Sequence, residues 1–205
     1  MPPRTPLLFP GQYFAETDDP LPLALGVFAL SLLTSIIVAS SVIALIGTRW
    51  QYASDPFVLF EAVIHVLFTI VINLGSRLFI VAAVLYVLSG ALWKNGNIVA
   101  TFAVACWSYA PNAIAQLVTL ALVTAEGATT NTFTNLEPAE LATGTEFLSQ
   151  TSSTLINVVL PLTVVLWSVY ILTQGVDAAN EDVPFAGAFG AALIVGCGVL
   201  LLEFV

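Results

Sequence analysis

The chain is made of apolar blocks long enough to cross a bilayer, joined by connectors that carry acids and almost no bases. A run of roughly 18 or more apolar residues reads as a transmembrane helix, because about 20 residues rising about 1.5 Å each cross a hydrocarbon core of about 30 Å. Only 8% of the residues are charged, against about a quarter in soluble domains. That is too few to solvate a globular surface. A β-barrel would need alternating segments of about 10 residues, and these runs do not alternate. The expected fold is all-α, a polytopic transmembrane helical bundle of about five spans with an overlong second helix.

Thirteen Asp and Glu stand against four Lys and Arg, and Lys94 is the only lysine. Acid-rich surfaces nearly free of lysine keep proteins hydrated in saturated salt; a general solubility effect of net charge is the weaker alternative. The composition points to an extreme halophile, an archaeon, and it excludes a basic nucleic-acid surface. Cys106 and Cys197 both sit inside apolar runs, where cysteine behaves as a small hydrophobe. Two cysteines build neither a zinc site nor a disulfide framework.

Residues 1–20 carry Pro2, Pro3, Pro6, Pro10 and Pro20, which forbid a helix there. With Leu7, Leu8, Phe9, Tyr13 and Phe14 the segment is expected to lie along the headgroups as an interfacial arm. The first apolar block starts too late and runs too long for a cleavable signal. Residues 21–205 then form the five-span domain.

The first span runs from Leu21 to about Ile46, with only hydroxyls such as Ser31, Thr34, Ser35, Ser40 and Ser41 as polar groups. The Arg49-Trp50 pair closes it at an interface. Phe57 to Trp93 is too long for one plain crossing, at roughly 55 Å as a straight helix. It is read as one crossing from about Asn73 to Trp93 with Phe57 to Ile72 as its extension; two short spans broken at Gly75 are the alternative. Lys94-Asn95-Gly96-Asn97 is a turn. The third span is Ile98 to about Thr124, followed by a threonine-rich loop from Ala125 to Ser153, where Pro138 can open a short amphipathic helix. The fourth is about Thr154 to Leu172, kinked at Pro161. Gln174 to Pro184 is an acidic connector, and the fifth span is Phe185 to Val205. An inside N-terminus puts Arg4 and Lys94 inside and Arg49 outside. The expected location is the cell membrane, N-terminus in the cytosol and C-terminus outside.

Glu61, His65, Thr69, Asn73 and Arg77 recur at four-residue spacing in the second block, so each can bond the next. Each step overshoots a turn by about 40°, so the line winds around its helix. Ionisable groups are expensive in lipid and face protein or water. The line is either a polar pathway with His65 as a titrating switch, or a partly interfacial helix whose polar groups pack against other spans. In the third span, Trp107-Ser108-Tyr109-Ala110-Pro111-Asn112 predicts a helix break, since proline frees a carbonyl one turn earlier. Ser108, Tyr109 and Asn112 are candidates to re-satisfy it. In the last span, Ala186/Gly190 and Gly187/Ala191 permit close helix approach, within the bundle or between copies.

No phosphate-binding glycine loop and no His-Glu-x-x-His occurs. A single histidine cannot build a metal cluster, and no lysine in the last span offers a retinal Schiff base. Neither an enzyme nor a cofactor is expected.

The order of features resembles the Yip (Ypt-interacting protein) domain family of five-span membrane proteins. The resemblance rests on Leu7-Leu8-Phe9-Pro10-Gly11-Gln12-Tyr13-Phe14, on Asn95-Gly96-Asn97 with Thr101-Phe102, and above all on Trp107-Ser108-Tyr109-Ala110-Pro111, similar to the family's aromatic-Ala-Pro signature. It implies a cytosolic N-terminus, five helices and no catalysis, here in a haloarchaeal-type member. Eukaryotic relatives act in vesicle trafficking by engaging small GTPases and membrane partners. This chain lacks their long arm with its Asp-Leu-Tyr-Gly-Pro motif, which puts a small GTPase partner in doubt. Two functions remain open: a scaffold that binds other membrane proteins, itself or the bilayer, and a transporter or channel subunit using the Glu61–Arg77 line. A cavity lined by His65, Asn73 and Arg77 favours transport; a closed bundle favours scaffolding.

Overall fold

A computed structural model describes residues 5–49, 56–94, 96–129, 158–180 and 182–204. Among these, every regular element is helical: α1 (Pro10–Glu16), α2 (Leu21–Arg49), α3 (Pro56–Leu88), a 3₁₀ turn (Ala91–Lys94), α4 (Ile98–Trp107), α5 (Ala110–Thr129), α6 (Leu160–Ala179) and α7 (Phe185–Phe204).

Proline occupies one of the first two positions of five of these helices, α1, α2, α3, α5 and α6. The N-terminal arm does contain a helix, against the expectation from its prolines, because Pro10 occupies the first turn of α1. There the missing N–H costs no hydrogen bond. Pro161 lies in the first turn of α6, which directly follows the π-helical residues 158–159, while residues 154–157 fall outside the described part. Pro111 sits one residue into α5. The loop containing Pro138 also lies outside the described residues.

The long second block is one helix of 33 residues, roughly 50 Å of straight α-helix, and Gly75 does not break it. It ends at Leu88 rather than Trp93, because Gly90 takes a left-handed φ of 87°, a conformation glycine adopts without a Cβ penalty. α6 also outruns its expected end at Leu172 and carries Gln174 and Asp177 as helical residues. The connector to α7 shrinks to the few residues from Asn180 to Pro184.

Among the described residues, four stretches are long and apolar enough to cross a membrane: Leu21–Ser41, Val63–Leu88, Ile98–Leu122 and Leu160–Ala179. The third comprises α4 and α5 together. α7 carries a shorter described apolar stretch, Phe185–Leu200.

α4 is the centre of the bundle. Its residues Ala100, Thr101 and Ala103–Trp107 are all buried, against α2, α3 and α6. α6 packs closely on α7, and α1 lies across α6. Lipid gives helices no hydrophobic drive to associate, so close approach and hydrogen bonds hold such a bundle together. Alanines and glycines supply the approach here: Gly196 backs onto Val169 of α6, and Gly187 onto the Ser89 carbonyl.

At one end, Asn180 ties three segments together. Its Oδ1 accepts from the Asn97 N–H at 2.7 Å, and its Nδ2 donates to Thr101 Oγ1 at 3.2 Å and to the Val176 carbonyl at 3.1 Å. Asn97 in turn caps α4, accepting from the Val99 and Ala100 N–H groups. Lys94 donates to the Asp182 carbonyl, and the Tyr86 hydroxyl to the Gly96 carbonyl. The expected turn at Lys94 to Asn97 is thus clamped to the start of the α6–α7 connector.

Candidate functional site

The break in the third crossing falls at Ser108-Tyr109, between α4 and α5. Ser108 bonds back, its hydroxyl donating to the Ala105 carbonyl at 2.7 Å. The Ser108 carbonyl accepts from the Ser168 hydroxyl of α6 at 2.8 Å. Of the three expected satisfiers only Ser108 makes such a bond; Tyr109 packs edge-on against Phe28 of α2, at 5.3 Å between ring centroids. Sequence reasoning missed Ser168, one of several serines on apolar helices with nothing local to mark it. Ser168→Ala should destabilise the protein by about 1 kcal/mol, read as a small drop in thermal midpoint in mild detergent. A drop of that size with unchanged helix content would assign the loss to this one bond.

Beside the break lies a partly open cavity of about 80 Å³ between α3, α5, α6 and α7. Arg77, Ser108, Tyr109, Asn112 and Ser168 border it, with valines and leucines making up most of the remaining wall. Arg77 and the residues of the break, far apart in sequence, therefore share one space. His65 and Asn73 do not border it.

The rest of the α3 line lies elsewhere. Glu61, His65, Thr69 and Asn73 are exposed on the outside of the bundle, and Arg77 is half-buried. Sixteen residues separate Glu61 from Arg77, so steps of about 40° rotate the line by roughly 160°. One end turns outward as the other turns in. The line does not pack along its length against the other spans. The first buried side chain described on α3 is Leu78, and Val81, Ala82, Leu85 and Ser89 follow, so only the C-terminal part of α3 is enclosed.

On α7 the small residues divide. Ala191 is buried and Gly187 approaches Ser89, whereas Ala186 is exposed and Gly190 has open space beside it. Gly187/Ala191 therefore serve contact within the bundle, and Ala186/Gly190 face away from it beside the stacked rings of Phe185 and Phe189.

Two further polar contacts were hidden in the sequence. Gln116 of α5 accepts from Thr34 and Ser35 of α2, at 3.2 and 2.9 Å, giving two hydroxyls of the first span a partner. Trp167 Nε1 and the Tyr170 hydroxyl of α6 donate to the Leu7 and Leu8 carbonyls, at 2.9 and 3.0 Å. They tie the N-terminal arm to the bundle. Among the described residues no group of three His, Cys, Asp or Glu could hold a metal ion.

Several apolar helices of membrane-crossing length around a broken central helix define a multi-pass helical membrane protein. Residues 6–205 match the Yip1 domain. The chain belongs to the Yip1 domain family and is a non-enzymatic, membrane-embedded protein of that kind. No curated protein and no solved structure matches it.

Proposed function

We propose that this protein is a membrane scaffold or adaptor, binding other membrane proteins through the outward face of α3. One observation carries the reading: His65, Thr69 and Asn73 are exposed within the apolar stretch Val63–Leu88, with Glu61 just beyond it. Hydrogen-bonding groups at hydrocarbon depth need partners, and no described helix of the chain provides them. The partner expected is a transmembrane helix that itself carries hydrogen-bonding side chains, from another protein or from a second copy. Transport along the same line has less support, because of its members only Arg77 borders the cavity.

In this reading α7, 20 residues long and so about 30 Å, makes a fifth crossing. The N-terminus is then cytosolic and the C-terminus outside. The acid-dominated charge, 13 Asp and Glu against 4 Lys and Arg, suits a halophile, so binding assays belong in high salt.

Affinity capture from gently solubilised membranes tests the function. The wild type should bring down a membrane protein or itself, and the triple variant His65→Leu, Thr69→Val, Asn73→Leu should lose it. Bare protein from the wild type, or equal capture by the variant, contradicts the proposal. Proteoliposome flux that disappears in Glu61→Gln and Arg77→Leu would favour transport instead.

A further inference from the structure

The cavity beside the helix break presents hydrogen-bond donors and a positive charge with no counter-charge among the described residues. No described residue forms a hydrogen bond or ion pair with Arg77, and no acid lines the cavity. Two more donors border it uncommitted among the described residues, the Tyr109 hydroxyl and the Asn112 amide. Ser108 and Ser168 are already engaged, with Ala105 and Ser108 carbonyls respectively. The rest of the lining is largely apolar and includes Val81, Val165, Val169, Leu172, Val195 and Val199.

All three polar contributors lie well inside apolar stretches, Arg77 within Val63–Leu88 and Tyr109 and Asn112 within Ile98–Leu122. An unpaired charge there is costly, and an anion in the cavity would neutralise it. The space of about 80 Å³ holds several waters at roughly 10–15 Å³ each, or one small anionic group.

We propose that Arg77, Tyr109 and Asn112 form a binding site for a monoanionic group, a large halide such as chloride or bromide, or the carboxylate of an acyl chain. The guanidinium supplies charge and several N–H donors, and the phenol and amide complete a partial shell. Valine walls cannot replace the rest of a tightly held hydration shell, so bromide should bind better than fluoride, and sulfate should be rejected. This site does not rest on the scaffold reading: partner capture can fail while anion binding stands, and the reverse.

The test is the chloride nuclear resonance line width of the purified full-length protein in detergent. The wild type should give saturable broadening, reversed by bromide at several-fold lower concentration than by fluoride and left unchanged by sulfate at matched ionic strength. Arg77→Gln should abolish the broadening, and Arg77→Lys should retain it at weaker affinity. Asn112→Ala keeps the net charge and should weaken binding several-fold, so it carries the test if Arg77→Gln does not fold. Decanoate displacing chloride far more effectively than bromide does would identify the source as an acyl carboxylate, and displacement by halides alone as a free ion. Broadening in the wild type no greater than in folded Arg77→Gln, or unaffected by Asn112→Ala, would overturn the site.

Discussion

Asn180→Leu is expected to unlock the end of the bundle where α3, α4 and α6 meet. Asn180 is 4% exposed, and leucine there removes three hydrogen bonds, with the Asn97 N–H, the Thr101 hydroxyl and the Val176 carbonyl, leaving Thr101 only its bond to the Asn97 carbonyl. A lost intramolecular hydrogen bond costs about 0.5–1.5 kcal/mol, and leucine loses all three. Asn180→Asp separates the contributions. It keeps the acceptor for Asn97 but loses both donors and places a carboxylate in an enclosed site, which is costly without a paired charge. Thermal unfolding in mild detergent should rank Asn180→Leu and Asn180→Asp well below Ser168→Ala, which loses a single bond. Equal midpoints for all three would show that the Asn180 cluster does not hold this end.

Gly175→Ala should be nearly as damaging, for a steric reason. A Cβ at this position would lie 2.6 Å from Val104 Cγ1, 2.9 Å from Val104 Cγ2 and 3.2 Å from Phe14 Cδ2. One methyl group would therefore wedge α6 away from both α4 and α1. Overpacking of this kind costs about 1–3 kcal/mol. The double variant Gly175→Ala, Val104→Ala removes the obstructing methyls and should recover part of the loss, a coupling that a double-mutant cycle reads directly. Additive losses would place the strain elsewhere. Because Phe14 belongs to the arm, protease sensitivity before residue 21 should rise in Gly175→Ala and fall back in the double variant.

These two positions show what the sequence makes legible. Block lengths predict membrane-crossing helices because bilayer thickness sets a length that composition alone can meet. The break at Ser108-Tyr109 was equally visible, since proline's missing N–H acts locally. Asn180 and Gly175 were not. Both looked like part of the acidic connector from Gln174 to Pro184, because what each touches is about 80 or 70 residues away, Asn97 and Val104. The helical state of α1 was misjudged by counting prolines without asking whether one could start a helix. The α3 line was visible as a spacing, and its winding followed from helix geometry. Which turn faced inward depended on packing: Leu78 begins the buried part of α3, and only the Arg77 end reaches the break.

The central claim is that the outward polar face of α3 meets another protein's helix. The most direct measurement is photo-crosslinking in native membranes from a benzophenone side chain at position 69, with position 166 on α6 as control. Leu166 is 64% exposed on a helix turn without such a polar line. The account predicts protein adducts of defined mass from position 69 and chiefly lipid adducts from position 166. Lipid adducts alone from both positions would contradict it.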